Sequence, residues 1–109
     1  MATIWKSLNT GSISDGSYAE KEWTPDRDIV IKKMLLVERS DYSLSNTQVY
    51  ISIADKPYTK DYVPGSVIGS DPEYCWKPNL KVPKGAKIYV KITNNVGTTI
   101  NVDIVFEYE

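Results

Sequence analysis

Tyrosine and tryptophan are the side chains of this sequence with the most distinctive chemistry. Of the 109 residues, 8 are tyrosine and 3 are tryptophan, whereas one is phenylalanine. Tyr and Trp combine a large apolar ring with a hydrogen-bonding atom, so they suit half-buried positions at protein interfaces and stacking on sugars. The sequence therefore points to surface contact. The candidate interface or ligand-contact residues are Trp5, Tyr50, Tyr58, Tyr62, Tyr74, Trp76 and Tyr89.

Groups suited to catalysis or metal binding are sparse. The sequence has no histidine and one cysteine, Cys75, which excludes Ser-His and Cys-His nucleophiles, His-ligated metals and an intramolecular disulfide. Four carboxylates cluster in one region, at Asp55, Asp61, Asp71 and Glu73, but their spacing is not that of a calcium-binding loop and fixes no catalytic pair. We therefore predict a protein that is not an enzyme, with no catalytic residue, no cofactor and no metal site.

Charge and hydropathy narrow the choice of partners. The 13 basic and 14 acidic residues give a net charge of -1, so we expect no nucleic-acid partner, which would require a basic surface. No apolar run approaches the roughly 18 residues of a membrane span, and the first residues lack the basic and apolar segments of a signal peptide. We expect neither membrane insertion nor export, and assembly in the cytoplasm of a host cell.

Alternation of apolar and polar residues predicts strands throughout the chain. The clearest alternation lies in residues 87–93, 100–108 and 49–53, and shorter strands are predicted at 4–8, 18–24 and 80–82. Residues 29–37 are apolar on both sides, which predicts a central strand or a strand with a bulge. Residues 94–98 suit a tight turn, so we expect the strands at 87–93 and 100–108 to form a hairpin.

The predicted elements combine into an all-β, antiparallel β-sandwich. No segment of ten or more residues has the apolar spacing of a helix, and seven or eight short strands in this length fit a single domain over residues 1–109 with little helix. We prefer a jelly-roll-like topology, with an immunoglobulin-like strand order as the alternative.

Two segments depart from this regularity. Residues 1–12 could form an N-terminal arm that exchanges between subunits, because Ile4, Trp5 and Leu8 are too apolar to remain solvated. Residues 54–79 contain four prolines and form a long irregular loop, which we expect either to bind a partner or to close an edge of the sandwich. Tyr50 and Tyr89 occupy the outward phase of their strands, which favours a covering partner.

Two stretches carry a resemblance to known proteins. They are Trp23-Thr24-Pro25-Asp26-Arg27-Asp28-Ile29-Val30-Ile31-Lys32-Lys33, and residues 80–94 followed by Ile100-Asn101-Val102. This pattern of strands and turns resembles the small jelly-roll structural proteins of phages and archaeal viruses. The resemblance covers residues 23–109 and implies a capsid decoration, turret, tail or fibre part that forms symmetric oligomers, without a catalytic residue.

The resulting hypothesis is a non-enzymatic viral structural protein located in the virion. We expect it to act as a homo-oligomer, preferentially a trimer, in contact with other virion proteins. The alternative is a carbohydrate-binding or receptor-binding β-sandwich module, in which Trp76 and the neighbouring tyrosines form a stacking platform for a glycan.

Overall fold

The fold is built almost entirely from antiparallel strands. The computed structural model describes residues 3–59 and 62–109. Its elements are β1 (Ile4–Ile13), β2 (Tyr18–Trp23), β3 (Ile29–Glu38), β4 (Thr47–Ile53), β5 (Lys56–Pro57), α1 (Gly65–Ile68), β6 (Leu80–Val82), β7 (Ile88–Asn94) and β8 (Ile100–Tyr108). The predicted all-β class is confirmed, and α1 is a single short turn of helix.

The strands form two sheets with a jelly-roll order. The first sheet runs β1-β8-β3-β6 and the second runs β2-β7-β4-β5. The first strand pairs with the last, the second with the seventh, the third with the sixth and the fourth with the fifth, as if one long hairpin had been rolled up. This order confirms the preferred jelly-roll topology and excludes the immunoglobulin-like alternative.

The predicted hairpin between the last two long strands is wrong. β7 lies between β2 and β4 in the second sheet, whereas β8 lies between β1 and β3 in the first sheet. Alternation reports which face of a strand is buried, and both strands bury a face on the same core from opposite sides. The connection at residues 95–99 therefore crosses from one sheet to the other instead of reversing within a sheet.

Strand β3 shows both features predicted for residues 29–37. It is central, between β8 and β6, and its register against β8 shifts between Ile31 and Lys33, as at a bulge. The bulge explains the mixed pattern, because one extra residue moves the following side chains to the other face. Thus Ile31 and Met34, which are of opposite parity, are both buried in the core.

The core fills the space between the two sheets with aliphatic side chains and one phenylalanine. Its most deeply buried members include Met34, Ile51, Val90, Ile104 and Phe106. Trp23 covers the side of the core where β1 and β2 approach each other, with its ring centroid 5.4 Å from that of Phe106 and 5.1 Å from that of Tyr108. An aromatic side chain thus closes the side of the sandwich that main-chain hydrogen bonds leave open.

The long excursion at residues 54–79 closes the opposite side of the sandwich. Its main chain is bonded to the strands, since Met34 N donates to Trp76 O and Val49 N donates to Val63 O. Ile68 is buried, and Val63 and Trp76 pack partly buried against the core, while Val67 stays exposed. Residues 60 and 61 of this excursion, and with them the carboxylate Asp61, lie outside the described residues.

The N-terminal segment is a strand over the residues that the structure describes. β1 pairs with β8 from Ile4 opposite Tyr108 to Ile13 opposite Ile100, with a bulge between Asn9 and Ser12. Leu8 packs against the core, whereas Ile4 and Trp5 remain exposed. Met1 and Ala2 of the predicted arm lie outside the described residues, and exchange of this segment between subunits stays a prediction.

A buried asparagine joins the two loops at one end of the sandwich. Asn94 is fully buried, and its Nδ2 donates to Ile13 O at 2.9 Å and to Thr98 O at 2.7 Å, while its Oδ1 accepts from Val96 N at 2.9 Å. One side chain thereby ties the end of β1 to the connection between β7 and β8. Such a group stabilises the fold because each buried polar atom has a partner.

We expect Asn94→Ala to lower the free energy of unfolding by about 2–3 kcal/mol, because it leaves two carbonyls and one amide without their partner in a buried site. Urea unfolding followed by circular dichroism measures this change. The control is the exposed neighbour Asn95→Ala, which should change stability by less than about 0.5 kcal/mol. Equal effects of the two variants would show that the buried amide does not hold this end of the sandwich.

Candidate functional site

Tyrosine side chains gather on the outer face of the second sheet. In β7, Ile88, Val90 and Ile92 are buried, so Tyr89 and Lys91 project to the opposite side. The same alternation directs Tyr50 outward from β4 and Tyr18 outward from β2. We use the name tyrosine face for Tyr18, Glu20, Tyr50, Tyr62, Tyr89 and Lys91.

The register of the three strands decides which of these side chains are neighbours. Lys91 of β7 lies opposite Glu20 of β2 and, on its other side, opposite Tyr50 of β4. Tyr62 reaches the face from the long excursion, because the next residue, Val63, pairs with Val49 at the side of β4. The tyrosine face therefore combines side chains from three strands and one loop that lie in separate parts of the sequence.

The rings contact one another edge to face. The centroid of Tyr50 lies 6.2 Å from that of Tyr62 and 6.0 Å from that of Tyr89, with interplanar angles of 60° and 63°. Pairs with this geometry contribute about 0.5–1.5 kcal/mol beyond the area that they bury. Tyr50 is thus the centre of a packed cluster that holds its neighbours in place before any partner arrives.

The charged groups of the tyrosine face are satisfied within the face. Tyr89 Oη donates to Glu20 Oε2 at 2.7 Å, and Lys91 Nζ lies 4.4 Å from the ring centroid of Tyr18 and 6.0 Å from that of Tyr62. Burial and the hydrogen bond to the Glu20 carboxylate raise the pKa of Tyr89 well above its usual value. A partner that covers this face would therefore bury charges that already have a favourable neighbour.

The structure brings together three of the predicted contact residues and adds three that the sequence analysis missed. Tyr50, Tyr62 and Tyr89 share the face. Tyr18, Glu20 and Lys91 were missed; Tyr18 begins a strand with the exposed residues Glu20 and Glu22 at alternate positions, so its outward phase was readable. The contacts of Glu20 and Lys91 depend on the pairing of β2 with β7, which alternation does not reveal.

The remaining predicted contact residues lie elsewhere. Tyr58 and Trp76 form a separate pair, with centroids 6.2 Å apart and planes inclined by 50°, beside an apolar pocket of about 140 Å³ that Ile51 and Val63 also line. Both rings are half-buried and pack against the core. Tyr74 is 79% exposed in the long excursion, and Trp5 is on the edge strand β1. The seven residues thus occupy four separate places on the molecule.

A cleft of about 440 Å³ lies beside the end of β3 and is lined in part by Glu38, Tyr42 and Ser66. Glu38 is buried, and its carboxylate accepts hydrogen bonds from Ser40 N at 2.6 Å, Tyr42 N at 3.3 Å and Asn101 N at 3.3 Å. These bonds fix the loop that follows β3. The carboxylate therefore has a structural role, which the sequence analysis did not identify.

Over residues 3–59 and 62–109, no group of three or more His, Cys, Asp or Glu residues is arranged to hold a metal ion, and no helix has the length and apolar character to cross a membrane. Cys75 is half-buried, with its Sγ 3.7 Å from Pro72 O. By contrast, the tyrosine face brings four tyrosine rings and two charged side chains into contact on the outside of the second sheet.

Stability should depend on pH through Tyr89. The pKa of this phenol is higher in the folded than in the unfolded protein, so its contribution is fully present below about pH 10 and is lost as the pH rises beyond that value. We expect thermal unfolding between about pH 9 and 11 to show a steeper loss of stability for the wild type than for Tyr89→Phe.

The control for this titration is Tyr74→Phe, which removes a phenol from an exposed ring outside the tyrosine face. This variant should follow the wild-type curve. If Tyr89→Phe also followed the wild-type curve, the hydrogen bond from Tyr89 to Glu20 would not contribute to the folded state as described.

Known proteins give no indication of the function, so the geometry is the basis for a functional assignment. The chain matches no protein-family model, and no curated protein sequence is similar to it at a significant level.

Proposed function

We propose that this protein is a non-enzymatic structural component of a virion and acts through homo-oligomeric assembly. The observation that carries the proposal is the tyrosine face, a preformed cluster of amphipathic rings on the outside of a β-sandwich. The jelly-roll strand order is compatible with the proposal, because viral capsid proteins use this architecture, but lectins use it too, so the strand order does not separate the two functions. The particle component could be a capsid decoration, a turret or a tail part.

The tyrosine face has the composition of a protein contact surface. Tyr18 is 57% exposed and Tyr62 is 44% exposed, so a partner would remove a substantial apolar area from water. Tyrosine is enriched at the energetically important centres of interfaces, where its ring packs and its hydroxyl remains hydrogen-bonded. The pairing of Tyr89 with Glu20 lowers the cost of burying that carboxylate, because its charge keeps a hydrogen-bond donor.

A symmetric oligomer is the expected product of such a contact, and we favour a trimer. In a three-fold ring, the tyrosine face of one subunit meets a different patch of the next subunit, so the contact is heterologous and closes after three copies. Other virion proteins are the second class of partner for the same face. In either case the covered area should reach the roughly 1,200–2,000 Å² of a stable protein interface.

We expect Tyr62→Lys to reduce the mass of the oligomer, because it places a second ammonium group near Lys91 and removes a ring from the cluster around Tyr50. Sedimentation velocity at micromolar concentration measures this mass. Tyr74→Lys is the matched control: it makes the same substitution in the same long excursion, at an exposed ring outside the tyrosine face. It should leave the oligomer unchanged.

Two results would contradict the proposal. The first is a wild-type protein that sediments as a monomer, and the second is an oligomer that Tyr62→Lys and Tyr74→Lys affect equally. Location in a virion is tested by immunogold labelling of particles purified from the cells that encode the chain. Label on the particles supports the assignment, and detection only in the particle-free fraction contradicts it.

The alternative, a glycan-binding module, has less geometric support. A stacking platform for a glycan chain is a row of rings whose free faces lie in a common plane. The rings of Tyr58 and Trp76 are inclined by 50° and half-buried, and those of the tyrosine face meet at 60° and 63°. Glycan-array binding by the wild type that Trp76→Ala abolishes would favour this alternative over assembly.

A further inference from the structure

The edges of the two sheets differ in how well they are protected against pairing with another chain. In the described part of the chain, β1 and β6 are the edges of the first sheet, and β2 and β5 are the edges of the second. β5 consists of Lys56 and Pro57, and β6 has 3 residues and is followed directly by Pro83. Short strands and prolines of this kind prevent edge-to-edge association.

The two longer edges differ in charge. Half of β2 is charged, at Glu20, Lys21 and Glu22, and charged side chains on an edge also oppose pairing. In β1, the regular stretch before the bulge runs Ile4-Trp5-Lys6-Ser7-Leu8-Asn9, and Lys6 is its one charged residue. The side chain of Lys6 is turned toward β2, with its Nζ 5.4 Å from the ring centroid of Trp23. β1 therefore lacks the protection that the other edges have.

The main-chain groups of β1 that point away from the sheet can be identified from the bonding of β8. Glu109 exchanges both main-chain hydrogen bonds with Val30, and Arg39 N donates to Asn101 O. The odd-numbered residues of β8 therefore direct their N–H and C=O groups toward β3. The even-numbered residues of β8 direct their main-chain groups toward β1 and bond to the residues opposite them, which are Lys6 for Phe106 and Leu8 for Ile104. It follows that Trp5 and Ser7 direct their N–H and C=O groups toward the free edge.

Apolar side chains flank these free groups on both faces of the edge. Trp5 is 50% exposed on the outer face of the first sheet, and Ile4 is 40% exposed on the opposite side. A strand that paired with β1 would satisfy the free main-chain groups and cover the exposed ring of Trp5. We propose that a second copy of this chain pairs its β1 antiparallel with this one across a two-fold axis, which joins the two first sheets into one continuous sheet.

Charge and register place the axis at Ser7. The two strands can bond only through residues whose main-chain groups point to the free edge. The two-fold axis can therefore pass through Trp5, through Ser7, or midway between them at Lys6. The midpoint sets Lys6 opposite Lys6 of the second copy, and like charges directly opposite one another are destabilising. An axis at Trp5 pairs three residues of β1, whereas an axis at Ser7 pairs residues 5–9 and sets Lys6 opposite Leu8 of the second copy.

This contact is independent of the tyrosine face. β1 belongs to the first sheet, whereas the tyrosine face covers the outside of the second sheet. Each contact can therefore be removed without changing the residues of the other. If both form, one chain carries a two-fold contact and a second symmetric contact, and the two together generate an assembly larger than either alone.

The main test is Ser7→Pro. Proline lacks the N–H that would donate a hydrogen bond to the second copy. The hydrogen bonds between β1 and β8 involve the even-numbered residues of β1 and remain. We expect Ser7→Pro to halve the mass of any species that contains the two-fold contact, and Ser7→Ala, which keeps the N–H, to match the wild type. Sedimentation velocity gives the masses, and circular dichroism verifies that Ser7→Pro retains the wild-type strand signal.

A cross-linking test keeps the proposal falsifiable if Ser7→Pro does not fold. In a Cys75→Ser background, Ser7→Cys places two thiols on the axis, with Cα atoms about 5.5 Å apart, within the roughly 4.4–6.8 Å range of a disulfide. Trp5→Cys is the matched control, because its two copies would lie about 14 Å apart in this register. Oxidation by dissolved oxygen should link Ser7→Cys into a dimer on a non-reducing gel and leave Trp5→Cys mainly unlinked.

The outcomes separate this proposal from the assembly proposed for the tyrosine face. Loss of mass in Ser7→Pro with wild-type behaviour of Tyr62→Lys supports the β1 contact alone, and the reverse pattern supports the tyrosine face alone. Equal masses of Ser7→Pro and wild type, or no cross-linking of Ser7→Cys at micromolar concentration, would overturn the β1 contact. Efficient cross-linking of Trp5→Cys would overturn the register centred on Ser7.

Discussion

Every long strand of this protein must bury one face on a single shared core, and this constraint organises the rest of the structure. The strands nest in pairs, with β1 against β8 at one extreme and β4 against β5 at the other. The inner faces supply the aliphatic core, so side chains that can meet another molecule lie on the outer faces, on the edges and in the excursion at residues 54–79. The two proposed contacts therefore occupy an outer face and an edge.

Nesting also determines where the edges need protection. The innermost pairs are short, because β5 lies within the long excursion and β6 follows it, and prolines in and beside these strands oppose further pairing. The outermost strands β1 and β2 are longer, and Trp23 closes the gap between them from inside. Side-chain packing of this kind protects the core but leaves the main-chain groups of Trp5 and Ser7 free. The packing of Trp23 thus completes the sandwich without protecting the main chain of β1, which is the edge used in the proposed pairing.

The sequence predicted the fold better than it predicted the neighbours of each strand. Alternation located β4, β7 and β8 and predicted the outward phase of Tyr50 and Tyr89, because it depends on one strand at a time. The hairpin between β7 and β8 was wrong, because two strands on opposite sides of one core have the same pattern as two strands side by side. The jelly-roll order was preferred over an immunoglobulin-like order, but periodicity could not decide between them, because the order of strands in a sheet is not a property of any one strand.

The same difference explains the outcome for the candidate site. All three of Tyr50, Tyr62 and Tyr89 were predicted contact residues, but the sequence did not show that they lie together. Tyr62 lies beside Tyr50 because the excursion pairs with β4 at Val63, a contact that no local pattern indicates. The contribution of Glu20 and Lys91 follows from the register of β2 and β4 against β7, which sets two charged side chains among four tyrosines. Register is a property of pairs of strands, so it becomes visible only once the sheets are assembled.

The position of β8 between β1 and β3 has a consequence for how the chain folds during synthesis. β8 pairs with both β1 and β3, so β1 has no partner in the first sheet until β8, at the far end of the described residues, has been synthesised. Contacts between such distant parts of a chain form slowly, because closing the long loop costs entropy before any pairing compensates for it. On a polysome, nascent chains would therefore display unpaired β1 segments close to one another, where premature association competes with correct folding.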